Sequence, residues 1–318
     1  MTDLSSAPSS TDQDRRRLAI GYGLYLVATC LFAFNGTVVK TILLSDVSAA
    51  RLTELRVTGA FLILFLMVAI WRPRALRIQR DEWPVLLAYG VIGLSMTQFL
   101  YFVAIERLPI GIALIIEFTA PVFVVLWVRF GQRQPVRSTV WLGLALALLG
   151  LALVAQVWEG FVLDGLGTLA AFGAAMALAL YYILGERQRR GGAQRDPLSL
   201  TMWGMGGAAL FWVFAQPWWT FPWSQLSGTS EPLAGIGPQL PLSALTTWMV
   251  VMGTVVPFTL VMASLAYITA SQASIVGMLE PVIASMVAWV VLAETLTAPQ
   301  IIGGVIVLVG VYLAERGR

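Results

Sequence analysis

Ten apolar runs separated by short polar turns fill almost the whole chain, at about 18–44, 51–71, 84–105, 109–129, 138–157, 166–185, 198–216, 243–266, 272–292 and 299–314. A helix that crosses the hydrocarbon core needs roughly 20 mostly apolar residues. The pattern therefore predicts an all-α membrane protein of ten transmembrane helices, the last of them short. Residues 1–17 precede the first run and are rich in Ser, Asp and Arg. They are expected to form a disordered cytoplasmic tail, not a signal peptide, because the run that follows is a full span with no small-residue cleavage site.

The turns carry a second pattern. Sixteen of the 20 Lys and Arg residues fall in the tail, the turns 72–82, 129–137 and 186–196, and the C-terminus. The alternate turns hold almost none, and the long one, Pro217–Pro241, holds zero. Positive residues stay on the cytoplasmic side, so ten spans with both termini in the cytoplasm are expected, in a bacterial-type inner membrane. Trp218, Trp219, Phe221 and Trp223 in this turn without Lys or Arg are expected to anchor at the headgroup level.

A shift of 160 residues superposes the halves. Gly93 falls on Gly253, Pro121 on Pro281, Gly143 on Gly303, Gly150 on Gly310 and Leu153 on Leu313. The first two helices of each half match weakly, with Gly23 on Gly167 at a different offset. An offset of five spans reverses direction across the membrane. The expected organisation is thus two inverted five-helix repeats, 18–157 and 158–318, an architecture that places a substrate site near the midplane.

Composition narrows the function. Hydrophobic residues make up 58% of the chain, charged residues 12%, and mean hydropathy is +0.81, so lipid must be part of the solvent. The net charge is only +3 and nearly all the Arg residues fall in short turns, which points away from a nucleic-acid partner. No His is present, which removes the commonest general base and metal ligand; no cofactor and no metal are expected. The single cysteine, Cys30, reads as a small core hydrophobe.

The segment Leu108-Pro-Ile-Gly-Ile-Ala-Leu-Ile-Ile-Glu117-Phe-Thr-Ala-Pro121 resembles the fourth-helix segment of the threonine/homoserine exporter branch of the drug/metabolite transporter superfamily. The stretch from Ala270 through Leu279-Glu280-Pro281 to Ala293-Glu294-Thr295-Leu296 resembles the ninth-helix signature of its EamA domain. The resemblance covers about 18–315. It implies ten helices, a central cavity, and export or uptake of amino acids and other small metabolites. One departure is Gln134, which stands where the second half has Glu294.

A charge inside a span costs roughly 2.5–3.5 kcal/mol unless it is paired or faces water. Glu117 and Glu280 are such charges. Each shares a face with mostly small residues (Ile110, Ala113, Ala120 and Pro121; Ala273, Gly277 and Ala284), while Ile112, Ile115, Val122 and Phe123, or Ile275, Val282 and Trp289, lie opposite and suit lipid. Pro121 and Pro281 break the helices and free the carbonyls of Glu117 and Gly277. Such carbonyls can receive a ligand's ammonium or hydroxyl, or can be healed by a neighbouring side chain or water. Lys40, the only lysine, can snorkel or bind substrate. Asn35, Gln98 and Tyr101 are candidate cavity residues. Glu54 is expected to pair with Arg51 or Arg56 as an interface anchor.

The leading reading is a secondary transporter, chiefly an exporter, of a small metabolite such as an amino acid or related zwitterion. Protons, if they drive it, must travel on carboxylates. A facilitator of a neutral nucleoside or vitamin is the alternative. No Gly-x-x-x-x-Gly-Lys-Ser/Thr phosphate loop occurs. An intramembrane enzyme lacks its His or paired-acid machinery, and a receptor has no need of an inverted repeat.

Overall fold

The computed structural model describes residues 10–43, 47–80, 82–105, 107–108, 110–158, 164–190, 195–230, 239–292 and 295–317. Ten helices form one bundle: α1 Ser10–Leu43, α2 Ala49–Trp71, α3 Trp83–Ile105, α4 in two pieces (Ile110–Glu117 and Ala120–Leu126), α5 Ser138–Val154, α6 Gly165–Arg190, α7 Pro197–Ala215, α8 Leu242–Ser264, α9 in two pieces (Ala270–Gly277 and Glu280–Leu292) and α10 Ala298–Arg316. Among the described residues nine of these are long and apolar enough to cross a membrane; α5 is apolar but shorter.

The helices pack as an inverted repeat requires. α5 packs on α10, α2 on α7, α4 on α9, α3 on α6 and α1 on α8. Exchanging each helix for its counterpart five places on leaves these pairings unchanged. The tightest seam is α5–α10, where a Cβ at Gly150 would lie 2.6 Å from the Gly303 carbonyl oxygen, and one at Gly310 would lie 2.7 Å from that of Gly143. The repeat maps one of these contacts onto the other. Small residues let the two backbones touch where lipid offers no hydrophobic drive.

The contacts also correct the offset of the first helices. Gly21 packs on Tyr267 and Ile268, and Gly167 packs on Arg107 and Leu108. The latter pair precedes the former by 160 residues, so Gly167 corresponds to Gly21, not to Gly23, whose site has nothing within 4 Å. Asn35 and Tyr181 agree with this shift, since they contact the equivalent residues Gly253 and Gly93.

Other expectations need correction. The helix α1 starts at Ser10, so residues 10–17, expected as part of a disordered tail, continue the first helix; Gln and Arg are good helix formers. Cys30 is exposed on the bundle surface; in lipid a small hydrophobe gains nothing by turning inward. Nor does the bulky face of α4 and α9 simply meet lipid. Ile112 and Ile275 are buried and Val122 and Val282 pack on the α5–α10 cluster, although Trp289 is exposed. A straight helical face does not survive a break. Trp218 stacks on Phe221 and Trp223 in two short 3-10 turns, and Arg51 ties this loop to α2 through the Pro217 carbonyl, 3.1 Å away, and the Thr220 hydroxyl. Glu294 lies outside the described residues.

Candidate functional site

The first piece of α4 ends at Glu117, the backbone turns through Phe118 and Thr119, and the second piece restarts at Ala120 with Pro121 in its first turn. In α9 the first piece ends at Gly277, the turn is Met278–Leu279, and Glu280 restarts the helix ahead of Pro281. These breaks coincide under the shift of 160. Tight turn bonds hold both, from the Thr119 N–H to the Ile116 carbonyl (3.0 Å) and from the Met278 N–H to the Ile275 carbonyl (3.1 Å). Neither proline has an N–H for the carbonyl four residues back, on Glu117 or Gly277.

The glutamates are not repeat equivalents. Glu117 corresponds to Gly277, and Glu280 to Ala120, so the halves place their carboxylates on opposite flanks of equivalent breaks. Both side chains are partly buried, and the two lie within electrostatic reach of each other. Among the described residues neither forms an ion pair.

Three tyrosines surround them. The hydroxyls of Tyr25 on α1 and Tyr182 on α6 are hydrogen-bonded at 2.6 Å. A Cβ at Gly277 would lie 2.8 Å from the Tyr25 hydroxyl and 3.3 Å from that of Tyr182, so both hydroxyls sit at the α9 break. Tyr182 and Tyr101 are in electrostatic reach of both glutamates, and Tyr25 of Glu280. Five helices thus converge on one polar cluster.

The other expected residues are distributed differently. Gln98 lies one turn before Tyr101 on α3 and accepts a hydrogen bond from Arg56 of α2. Asn35 is buried against Gly253, where α8 loosens into a π-turn, Val251–Val255; its Oδ1 accepts no hydrogen bond among the described residues. Lys40 is on α1, with its side chain outside the described part of the structure. Glu54 pairs with Arg51 at 2.9 Å, leaving Arg56 to Gln98. Tyr25 and Tyr182 were not singled out by the sequence, since tyrosine in a span is equally at home as packing. A separate cavity of about 710 Å³, lined by Asp14, Arg17, Leu18, Arg189, Arg190, Ala266 and Tyr267, opens at the arginine-rich end of the bundle, away from both breaks.

Comparison with known proteins agrees with this architecture. The model of the EamA-like transporter family matches residues 19–156 and again 165–315. The threonine/homoserine exporter RhtA of Escherichia coli is 28% identical over 265 residues, covering 80% of this chain and 78% of that protein. An uncharacterized transporter of Archaeoglobus fulgidus is 28% identical over 233 residues, covering 71% and 76%. A crystal structure with 16% sequence identity superposes with a TM-score of 0.74 over 95% of this chain and 97% of its own, a likeness of fold.

Proposed function

Because the chain belongs to the EamA-like transporter family, we propose that it is a secondary exporter of a small metabolite, an amino acid or related zwitterion, working by alternating access around the breaks in α4 and α9. The observation that carries this reading is the pair Glu117 and Glu280, two carboxylates without a cationic partner among the described residues, set at equivalent breaks of an inverted repeat. Unpaired negative charge inside a span is costly, and a substrate ammonium supplies the missing partner. The freed carbonyls of Glu117 and Gly277 and the hydroxyls of Tyr25 and Tyr182 would complete its acceptor set. The name of the RhtA relative points to the same substrate class.

Exchange of the ammonium for a proton at the carboxylates would couple export to the proton gradient. The arginine-rich turns are proposed to be cytoplasmic, by the positive-inside rule. Cells fed an inhibitory dipeptide release the toxic amino acid internally, and an exporter relieves the block. Wild-type expression is expected to raise the tolerated concentration severalfold, and Glu117→Gln to abolish the gain while still reaching the membrane. Resistance that is equal with and without the protein, across dipeptides of all amino acids, would shift the reading to a neutral metabolite.

A further inference from the structure

Arg56 lies seven residues into α2, about 10 Å below the arginine-poor end. A guanidinium at that depth needs compensation, and carboxylates do not supply it here. Glu54, two positions earlier and hence on another face of the helix, is engaged by Arg51 at 2.9 Å. Neither Glu117 nor Glu280 pairs with Arg56 among the described residues.

What Arg56 does meet is a neutral amide. Its Nη2 donates to Gln98 Oε1 on α3, and its Nε is buried with no acceptor among the described residues. Guanidinium offers five N–H donors in a planar fork, so among the described residues most of this fork is unused. A residue that only anchored α2 in the headgroups would reach outward; this one reaches sideways into the bundle, to a partner at its own depth.

That depth is shared. Gln98 is seven residues from the end of α3 at Ile105, and Glu117 is seven from the start of α4 at Ile110, each about 10 Å from the same end. Gln98 and Tyr101 are three apart and lie on one face of α3, and Tyr101 is in electrostatic reach of both glutamates. Gln98, which holds the fork, and Tyr101, which neighbours the two carboxylates, thus share one face of α3, and among the described residues Arg56 makes no direct contact with either glutamate.

We infer that Arg56, held by Gln98, is the carboxylate-binding end of the substrate site. The planar fork takes a carboxylate with two parallel hydrogen bonds, while the ammonium of the same molecule lies toward Glu117 and Glu280; this second half rests on the function proposed above. The pairing supplies both ends of an α-amino acid.

The test is thermal unfolding of the purified full-length protein in detergent against the twenty amino acids, their amino-alcohol analogues without a carboxylate (threoninol for threonine) and their hydroxy acids without an ammonium. For any stabilising amino acid, Arg56→Gln is expected to require at least tenfold more ligand, Arg56→Lys to recover part of the loss, and the amino alcohol to act equally on wild type and Arg56→Gln. Gln98→Leu, which removes the positioning amide and keeps the charge, is expected to show a smaller loss of the same selectivity and serves if Arg56→Gln does not fold. Stabilisation by hydroxy acids but not amino acids, dependent on Arg56, would uphold the carboxylate site and refute the zwitterion reading. An amino-acid response unchanged in Arg56→Gln, or lost equally for amino acid and amino alcohol, would overturn the site and leave the transport reading standing. No response to any carboxylate would overturn both.

Discussion

Glu82 and Arg195 are buried together where the α2–α3 turn meets the start of α7, with Arg195 Nη2 2.6 Å from Glu82 Oε2. Arg195 also donates to the carbonyls of Ala75 and Arg77, at 3.3 and 3.0 Å, and to the Ser199 hydroxyl at 2.8 Å. The hydrogen bond from Arg195, joined by the Gln79 N–H, holds the Glu82 carboxyl below the usual carboxylate range, against burial that pushes it up. A group whose pKa is lower folded than unfolded stabilises the fold above its unfolded value and loses that contribution as pH falls through its folded value. Unfolding in detergent is therefore expected to become easier on acidification below about pH 4, and Glu82→Gln to flatten that dependence. Arg195→Ala leaves a buried carboxylate alone and is expected to cost about 3 kcal/mol at neutral pH. A pH profile identical in wild type and Glu82→Gln would remove this pair from the account.

The same scale shows what could be read from the chain. Glu117 and Glu280 announce themselves because a carboxylate in an apolar run is expensive. Arg56 carries an equal cost, but its nearness to a span end gave it a bland explanation as an anchor. Arg195 was legible only as one more positive turn residue, since nothing local indicates that Glu82, 113 positions earlier, will bury it.

At the scale of elements, proline and glycine carry most of the legible information. Pro121 and Pro281 each stand one residue past the point where the helix restarts after its break. The glycines at 143, 150, 303 and 310 mark the α5–α10 seam, where backbone carbonyls stand in the place of a side chain. Gly150→Leu is expected to force the two helices apart, at about 1–3 kcal/mol or more, and to lower the yield of monodisperse protein. An equal substitution at Gly23, with open space around it, is expected to be harmless. Equal yields from the two variants would argue against this seam. The π-turns at Ala88–Met96 in α3 and Val251–Val255 in α8 were not foreseen, because no residue type encodes the extra residue they accommodate. The separate shift of the first helices has a simple cause. The connection between α7 and α8 is longer than that between α2 and α3, so one shift cannot serve both the early and the late helices of a repeat.

Over the whole molecule, hydropathy and charge made the fold legible because a membrane protein writes its spans and sides into composition, while the converging side chains depend on rotations about each helix that the sequence leaves free. The proposed orientation follows from charge alone. Single cysteines placed at residues 78 and 225 of a Cys30→Ser background are expected to react with an impermeant thiol reagent from the inside and the outside of the cell, respectively. The reverse pattern would invert the bundle and with it the direction of export.

The central claim is that the breaks in α4 and α9 hold the ammonium of a transported amino acid against Glu117 and Glu280. Solute counterflow tests it most directly: proteoliposomes loaded with an unlabelled amino acid are diluted into a trace of the same labelled compound, and its transient accumulation is followed across pH. The account predicts counterflow for at least one of the twenty amino acids, a rate reduced at least tenfold or a displaced pH profile in Glu117→Gln and Glu280→Gln, and normal incorporation of both variants. Counterflow of none of them by the wild-type protein, or a wild-type rate and pH profile in both variants, would contradict it.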